Sequence, residues 1–252
     1  QFNASHGMVM SFIKFAILST LGEVIGLRIS TGVYHRSGFG ILPRAFVWGL
    51  LGLGINMAFV VLSAGVPAFA SYLGVQDASG IMSGPFSLDK VLLALAISVT
   101  MNTIFGPVFM TLHKVTDTHI LATGGTLKGF FTPIPMGKIL QGLNWKVQWG
   151  FVFKKTIPFF WFPAHTITFL LPGDARVLFA ALLGVVLGIF LAVILLFFQS
   201  KNPTLFAKKG GKMQSFFKFF CVFPEDTSSF FNFFLFSWSF RYSAFFTMHS
   251  FL

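Results

Sequence analysis

GLLGLGINMAFVVLSAGVP, Gly49–Pro67, is a long apolar run without one charged residue. Extended back to Ala45, it gives 22 residues up to Val66, roughly 33 Å as an α-helix and enough to cross a bilayer. Gly49, Gly52 and Asn56 recur at helical spacing within it. Small residues so placed let a neighbouring helix approach closely, which is how membrane helices associate without a hydrophobic drive between them. The run therefore predicts a membrane helix that packs on others.

Composition extends that reading to the whole chain. The 252 residues are 55% hydrophobic and 10% charged, with a mean hydropathy of +0.79; a soluble domain carries about 25% charged residues. The length suits one domain. A single cysteine, Cys221, excludes an intrachain disulfide framework and a Cys-rich metal site. The net charge of +11 is spread between apolar segments instead of gathered in one stripe, so it predicts membrane topology and no nucleic-acid partner. The chain starts at Gln1 instead of Met, which leads us to expect a fragment or processed form.

Five apolar segments follow: Met8–Ile29, Ala45–Val66 closed by Pro67, Val91–Leu112, Val147–Leu171 and Val177–Phe198. Prolines inside them are tolerable but should kink the helices. Basic residues concentrate in the 30–44 loop, the 113–146 loop and after the fifth segment, so these share one side under the positive-inside rule. The fourth segment carries Lys154 and Lys155, which suits an interfacial placement with snorkelling lysines as well as a fifth span. The expected fold is all-α, an integral membrane bundle of four or five kinked transmembrane helices over residues 1–200. A basic membrane-proximal segment, 201–212, follows. Residues 213–252 differ: 14 of the 37 Phe fall there, mixed with Ser and without period. Their pyrimidine-rich codons predict a translated intron or shifted frame, with a Phe-rich interfacial tail as the alternative.

Polar groups inside spans are expensive and need a partner or a wet path. Glu23 either lines such a path, attracting cations or pairing with Lys154 or Lys155, or forms a buried pair that fixes helix packing. Asn56 and Asn102 either bridge helices by hydrogen bonds or line a pore. His165 either relays protons or donates to a carbonyl freed by proline. Gly49, Gly52, Pro107 and Pro163 are the expected helix-packing positions. His113, Asp117 and His119 look metal-like, but Asp117 and His119, two apart, diverge on a helix, so no metal is expected. Lys154 and Lys155 with Lys146 and Arg176 suit anionic solutes or interfacial anchoring, and Trp145, Trp149 and Trp161 an aromatic belt. No catalytic or phosphate-binding motif appears, so neither an enzyme nor a cofactor is expected.

Several blocks together resemble the Mpv17/PMP22 family of organellar membrane proteins. Leu21-Gly22-Glu23-Val24-Ile25 is similar to its Gly-Asp motif, with Glu for Asp. Gly49, Gly52, Val61, Leu62 and Pro67 fall at the spacing of its glycine-rich second helix. Met101-Asn102-Thr103-Ile104-Phe105-Gly106-Pro107 resembles its Asp-Gln-x-x-Phe-Ala-Pro block, with Met-Asn for Asp-Gln. Trp145, Trp161, Pro163, Pro172 and Arg176 echo its C-terminal signature with altered spacing. The resemblance covers about Phe12 to Val193 and describes a divergent member. It implies a helical bundle in the mitochondrial inner membrane or peroxisomal membrane, with a pore-like role in small-solute permeation. The expected path runs between segments one, two and four, lined by Glu23, Asn56, Asn102, Lys154 and His165. The expected partners are membrane lipids and small solutes, with a homo-oligomer as a further option. The competing classes are a non-transporting scaffold that organises lipids or partner proteins and, more weakly, a membrane enzyme using His113, His165 and Glu23.

Sequencing the transcript tests the tail: an intron reading expects an mature mRNA without the 213–252 coding stretch, and an in-frame stretch in that mRNA disproves it.

Overall fold

A computed structural model describes residues 6–201. The basic segment beyond Lys201 and the 213–252 tail lie outside the described residues. Among the described residues there is no strand. The elements are α1 (Gly7–Thr31), α2 (Ile41–Tyr72), α3 (Leu88–Ala122), a π-helical segment (Gln148–Trp161), α4 (Phe162–Leu170) and α5 (Gly173–Lys201), with short helical turns in the connections. Four helices are long and apolar enough to cross a membrane: α1, α2, α3 and the Gly173–Phe190 part of α5. The fold is thus the expected all-helical membrane bundle.

Local chemistry sets the helix ends. The Ser87 hydroxyl accepts from the Lys90 N–H at 3.2 Å and starts α3, supplying one acceptor to the orphan amides of the first turn. Gly32, at φ 82°, ends α1 in the left-handed region and returns its N–H to the Arg28 carbonyl at 2.9 Å. Two helices outrun their apolar segments. α2 continues through buried Pro67 to Tyr72, so Pro67 does not close it; one missing N–H is tolerable where neighbouring helices cover the backbone. α3 continues ten residues past Leu112 because the polar side chains of its last turns find partners inside the protein.

Contacts fix the direction of each helix. α1 and α2 are antiparallel: the Ser11 hydroxyl donates to the Gly52 carbonyl at 2.7 Å, and Glu23 reaches Arg44 at the other end. α3 is antiparallel to α2, with Phe105 beside Gly54 and Asp117 beside Arg44. α5 then runs parallel to α1, with Ser19 beside Gly184 and Gly22 beside Gly188. That parallel pairing requires the chain to return along the bundle between α3 and α5. The fourth apolar segment does so, as the π-helical segment and α4 in succession. Its start packs Val152 near Met110, its middle sets Ile157 by Gly106, and the Ser98 hydroxyl donates to the Phe162 carbonyl at 2.8 Å. The bundle is traversed five times, four of them by long apolar helices. Inward residues of the π-helical segment recur every four to five positions, at Gln148, Val152, Ile157 and Trp161, as its wider turn requires.

Glycine sets how closely the helices approach. A Cβ on Gly49 would meet the Phe12 ring at 2.5 Å, and one on Gly52 would meet Phe15 Cβ at 2.6 Å, so both expected packing glycines seat aromatic side chains of α1. The less yielding contact joins α1 to α5. A Cβ on Gly22 would lie 2.8 Å from the Val185 Cα, and one on Gly188 would lie 2.8 Å from the Gly22 carbonyl. Backbone cannot rotate aside as a side chain can. Gly184 and Gly188 form a Gly-x-x-x-Gly pair in α5, a pattern that marks such close crossings. Of the expected packing prolines, Pro107 is half-buried inside α3, whereas Pro163 is exposed. Pro163 falls where the π-helical segment passes without a break into α4, and its exposure leaves it out of the helix–helix contacts.

Substituting Gly22 with Val should cost about 1–3 kcal/mol through overpacking. Gly54→Ala, with its nearest neighbour 3.7 Å from the added Cβ, should change little. Thermal unfolding in detergent checks both: equal midpoints for the two variants would refute the close α1–α5 crossing.

Candidate functional site

Arg44, in the first turn of α2, is 3% exposed. Three helices converge on it. Its Nη1 reaches Glu23 Oε2 of α1 at 2.6 Å and also pairs with Asp117 of α3. Its Nε donates to the Phe39 carbonyl at 2.7 Å, and the guanidinium lies 4.4 Å from the Phe39 ring centroid. A planar fork of donors suits this, because it can serve two carboxylates and a carbonyl at once. Glu23 has two further partners: Trp48 Nε1 donates to Oε1 at 3.0 Å, and His113 Nε2 approaches the same oxygen at 3.2 Å. The Trp48 and His113 rings lie 4.4 Å apart. Such a cluster is costly to break, because removing one partner leaves the other charges buried. The cluster lies at the end of the bundle that carries the 32–40 and 123–144 connections, the side expected to be basic.

A cavity of about 210 Å³ runs from this cluster into the bundle. Its charged linings, Glu23, Arg44, Lys114 and Asp117, are all at the cluster end. Further in, the walls are apolar and largely aromatic, with Phe15, Phe105, Phe109 and Phe151 among them. Asn102, Trp161 and His165 face it near mid-height. Beyond, Phe59, Ala94, Ile97, Phe169 and Ala181 close the far half in one apolar cluster. This cluster closes the cavity at that end.

Of the five expected lining residues, Glu23, Asn102 and His165 do line it. Asn102 donates to the Ser98 carbonyl at 2.8 Å, within its own helix. His165 stacks on Trp161 at 5.1 Å between ring centroids, and its Nδ1 lies 3.4 Å from the Thr168 hydroxyl. Asn56 and Lys154 are elsewhere. Asn56 Nδ2 lies 3.2 Å from Met8 Sδ, so this amide bridges α1 and α2 outside the cavity. Lys154 is exposed and on the outer face of the π-helical segment, because the wider turn brings Val152 and Thr156 inward in its place. Glu23 pairs with Arg44 and His113, not with Lys154 or Lys155 as one reading had it.

The metal-like trio separates in the same way. His113 turns to Glu23, Asp117 to Arg44, and His119 Nε2 lies 3.1 Å from the Phe130 carbonyl. Among the described residues no three His, Cys, Asp or Glu side chains gather to hold a metal ion. Arg176 donates to the Leu171 and Phe169 carbonyls at 3.0 and 3.1 Å, closing the end of α4. Trp145 and Trp149 are exposed, as belt residues are, while Trp161 lines the cavity. Sequence reasoning missed Arg44 and Trp48. Their signal was present: an arginine and a tryptophan four apart lie on one helix face, at the start of an apolar helix facing Glu23.

Comparison with family models, with curated proteins and with solved structures finds no match. The site therefore has to be read from its own chemistry.

Arg44→Met should destabilise the protein by about 3–5 kcal/mol, because it leaves Glu23 and Asp117 buried without their cation. Adding Glu23→Gln and Asp117→Asn to it should restore most of that loss. A triple variant no more stable than Arg44→Met in thermal unfolding would show that the guanidinium contributes packing and not charge pairing.

Proposed function

We propose that the protein is a multi-pass membrane protein that admits small solutes into its bundle and passes them across. One observation supports this most: Glu23, Asn102 and His165, distant in sequence and on three different helices, converge on one cavity. A polar residue within a span has to be satisfied or wetted, and a bundle built only for packing has no need to gather three of them around one cavity. In this reading the cavity is the entrance half of the path. The apolar cluster around Phe59 and Phe169 is the closed gate, which opens by separation of α4 from α2 and α3. The Glu23–Arg44–Asp117 cluster is the filter at the entrance.

The same apolar closure favours a second reading, a non-transporting scaffold whose cavity is filled by lipid. Neither reading is enzymatic, and the geometry supports that choice. His113 does meet Glu23, but His165 partners Trp161 and Thr168 instead, so the three side chains an embedded enzyme would need do not come together. The resemblance to Mpv17/PMP22 proteins supports the permeation reading. It alone supports a mitochondrial inner or peroxisomal membrane, so that location is part of the proposal.

Planar-bilayer recording with purified full-length protein tests the reading. Discrete currents are expected, and their ion selectivity should change in Glu23→Gln. Silence from well-folded protein across voltage and pH, together with no solute flux into liposomes, would favour the scaffold.

A further inference from the structure

Charge is unevenly divided between the two ends of the bundle. Residues 118–173 contain five lysines and not one aspartate or glutamate. Asp77 and Asp89 belong to the α2–α3 connection and its exit, and Asp174 to the start of α5, all at the far end. At the cluster end, Glu23 and Asp117 are both bonded to Arg44. Arg28, 5.1 Å from the Tyr34 ring centroid, and Arg36 stand at the same end, together with the exposed Lys128 and Lys138 of the 123–144 connection. This end is therefore net positive among the described residues, on the side that the positive-inside rule makes basic.

Two further lysines stand on the wall of the bundle itself. Lys154 is exposed and Lys155 half-buried on the π-helical segment, and neither lines the cavity. Among the described residues neither has a hydrogen-bond or ion-pair partner. Trp149, also exposed, precedes Lys154 by five residues, which the i to i+5 winding of a π-helix places on one face. Its ring meets Phe153 edge-on at 5.9 Å between centroids. Exposed Trp145 comes about one turn earlier. The outer face thus runs from two tryptophans to two lysines. Tryptophans so placed sit at headgroup depth. A lysine one turn deeper has a stem long enough to lie along apolar surface and return its ammonium to that depth. The acceptors found there are lipid phosphates.

We propose that Lys154 and Lys155, framed by Trp145 and Trp149, bind the phosphate of an anionic phospholipid in the leaflet at the cluster end. Lys128 and Lys138 in the adjoining connection enrich such lipids nearby by an attraction that salt screens. The ligand is a lipid and not a dissolved anion, because the two ammonium groups stand on the outer wall, away from the cavity, where headgroups are the abundant phosphates. The site does not depend on what the cavity holds, and it stands equally with a permeation path and with a scaffold. It also accounts for two charges that are expensive in a span: bonded to a headgroup, they hold the irregular return of the chain at a fixed depth.

The full chain is placed in phosphatidylcholine nanodiscs holding from none to about 30 mol% phosphatidylglycerol, and lipid binding is read from the rise in unfolding temperature. That temperature should rise with phosphatidylglycerol and stay unchanged when inorganic phosphate is added to pure phosphatidylcholine discs. In the Lys154→Gln, Lys155→Gln double variant the same rise should take at least about fivefold more phosphatidylglycerol, since each lysine near the surface adds to the attraction. The Lys154→Arg, Lys155→Arg double variant keeps both charges and should match the unsubstituted chain. If the double glutamine variant does not fold, Lys154→Gln alone, at an exposed position, makes the same comparison with an expected change of at least about twofold. No rise with phosphatidylglycerol, a rise that the glutamine variant keeps in full, an arginine variant as weak as the glutamine one, or an equal rise with inorganic phosphate overturns the proposal.

Discussion

One buried guanidinium ties the bundle together. Arg44 draws a carboxylate from α1 and another from α3 onto the start of α2 and adds the backbone carbonyl of Phe39. In a membrane bundle no hydrophobic drive pulls one helix onto another, since lipid is as apolar as a leucine face. Directional polar bonds and close packing must decide which faces meet. Arg44 decides it for three helices at one end, and the rotation it imposes turns Trp48 and His113 toward Glu23 and toward the cavity.

The opposite constraint is steric. Gly22 and Gly188 let α1 and α5 come together backbone to backbone. Because that pairing is parallel, the chain has to return along the bundle before α5 begins. The stretch that makes the return is the least suited to lipid, with two lysines and three prolines between Lys154 and Pro172. Its π-helical half resolves the conflict. The wider turn directs Gln148, Val152 and Trp161 inward and leaves Lys154 outside. The cavity is the space between a tightly packed α1–α5 pair and this broad, irregular wall. Close packing on one side and loose winding on the other therefore have a common origin in topology.

The apolar cluster of Phe59, Ala94, Phe169 and Ala181 gives the far half of the bundle ordinary close packing. Polar and charged groups gather in the other half. A molecule in the cavity thus meets charged groups first, then aromatic rings, then a closed apolar floor. The same gradient makes the apolar floor the natural barrier.

Much of the fold was legible in the amino-acid order. Uncharged apolar runs of more than twenty residues leave a chain little choice but to span a bilayer, because every backbone group must then be bonded within its own helix. The glycines at 49 and 52 marked a close contact for the same local reason. Glu23, Asn102 and His165 were legible as cavity residues because a polar side chain in an apolar helix has few alternatives. Local order could not settle the partners. Whether Glu23 meets Lys154 or Arg44, whether Asn56 faces a neighbouring helix or a cavity, and whether Pro163 is buried or exposed depend on how far each helix is rotated about its axis. That rotation is set jointly by contacts between residues far apart in the chain, Arg44 with Asp117 and Gly22 with Gly188. Only the assembled bundle contains them.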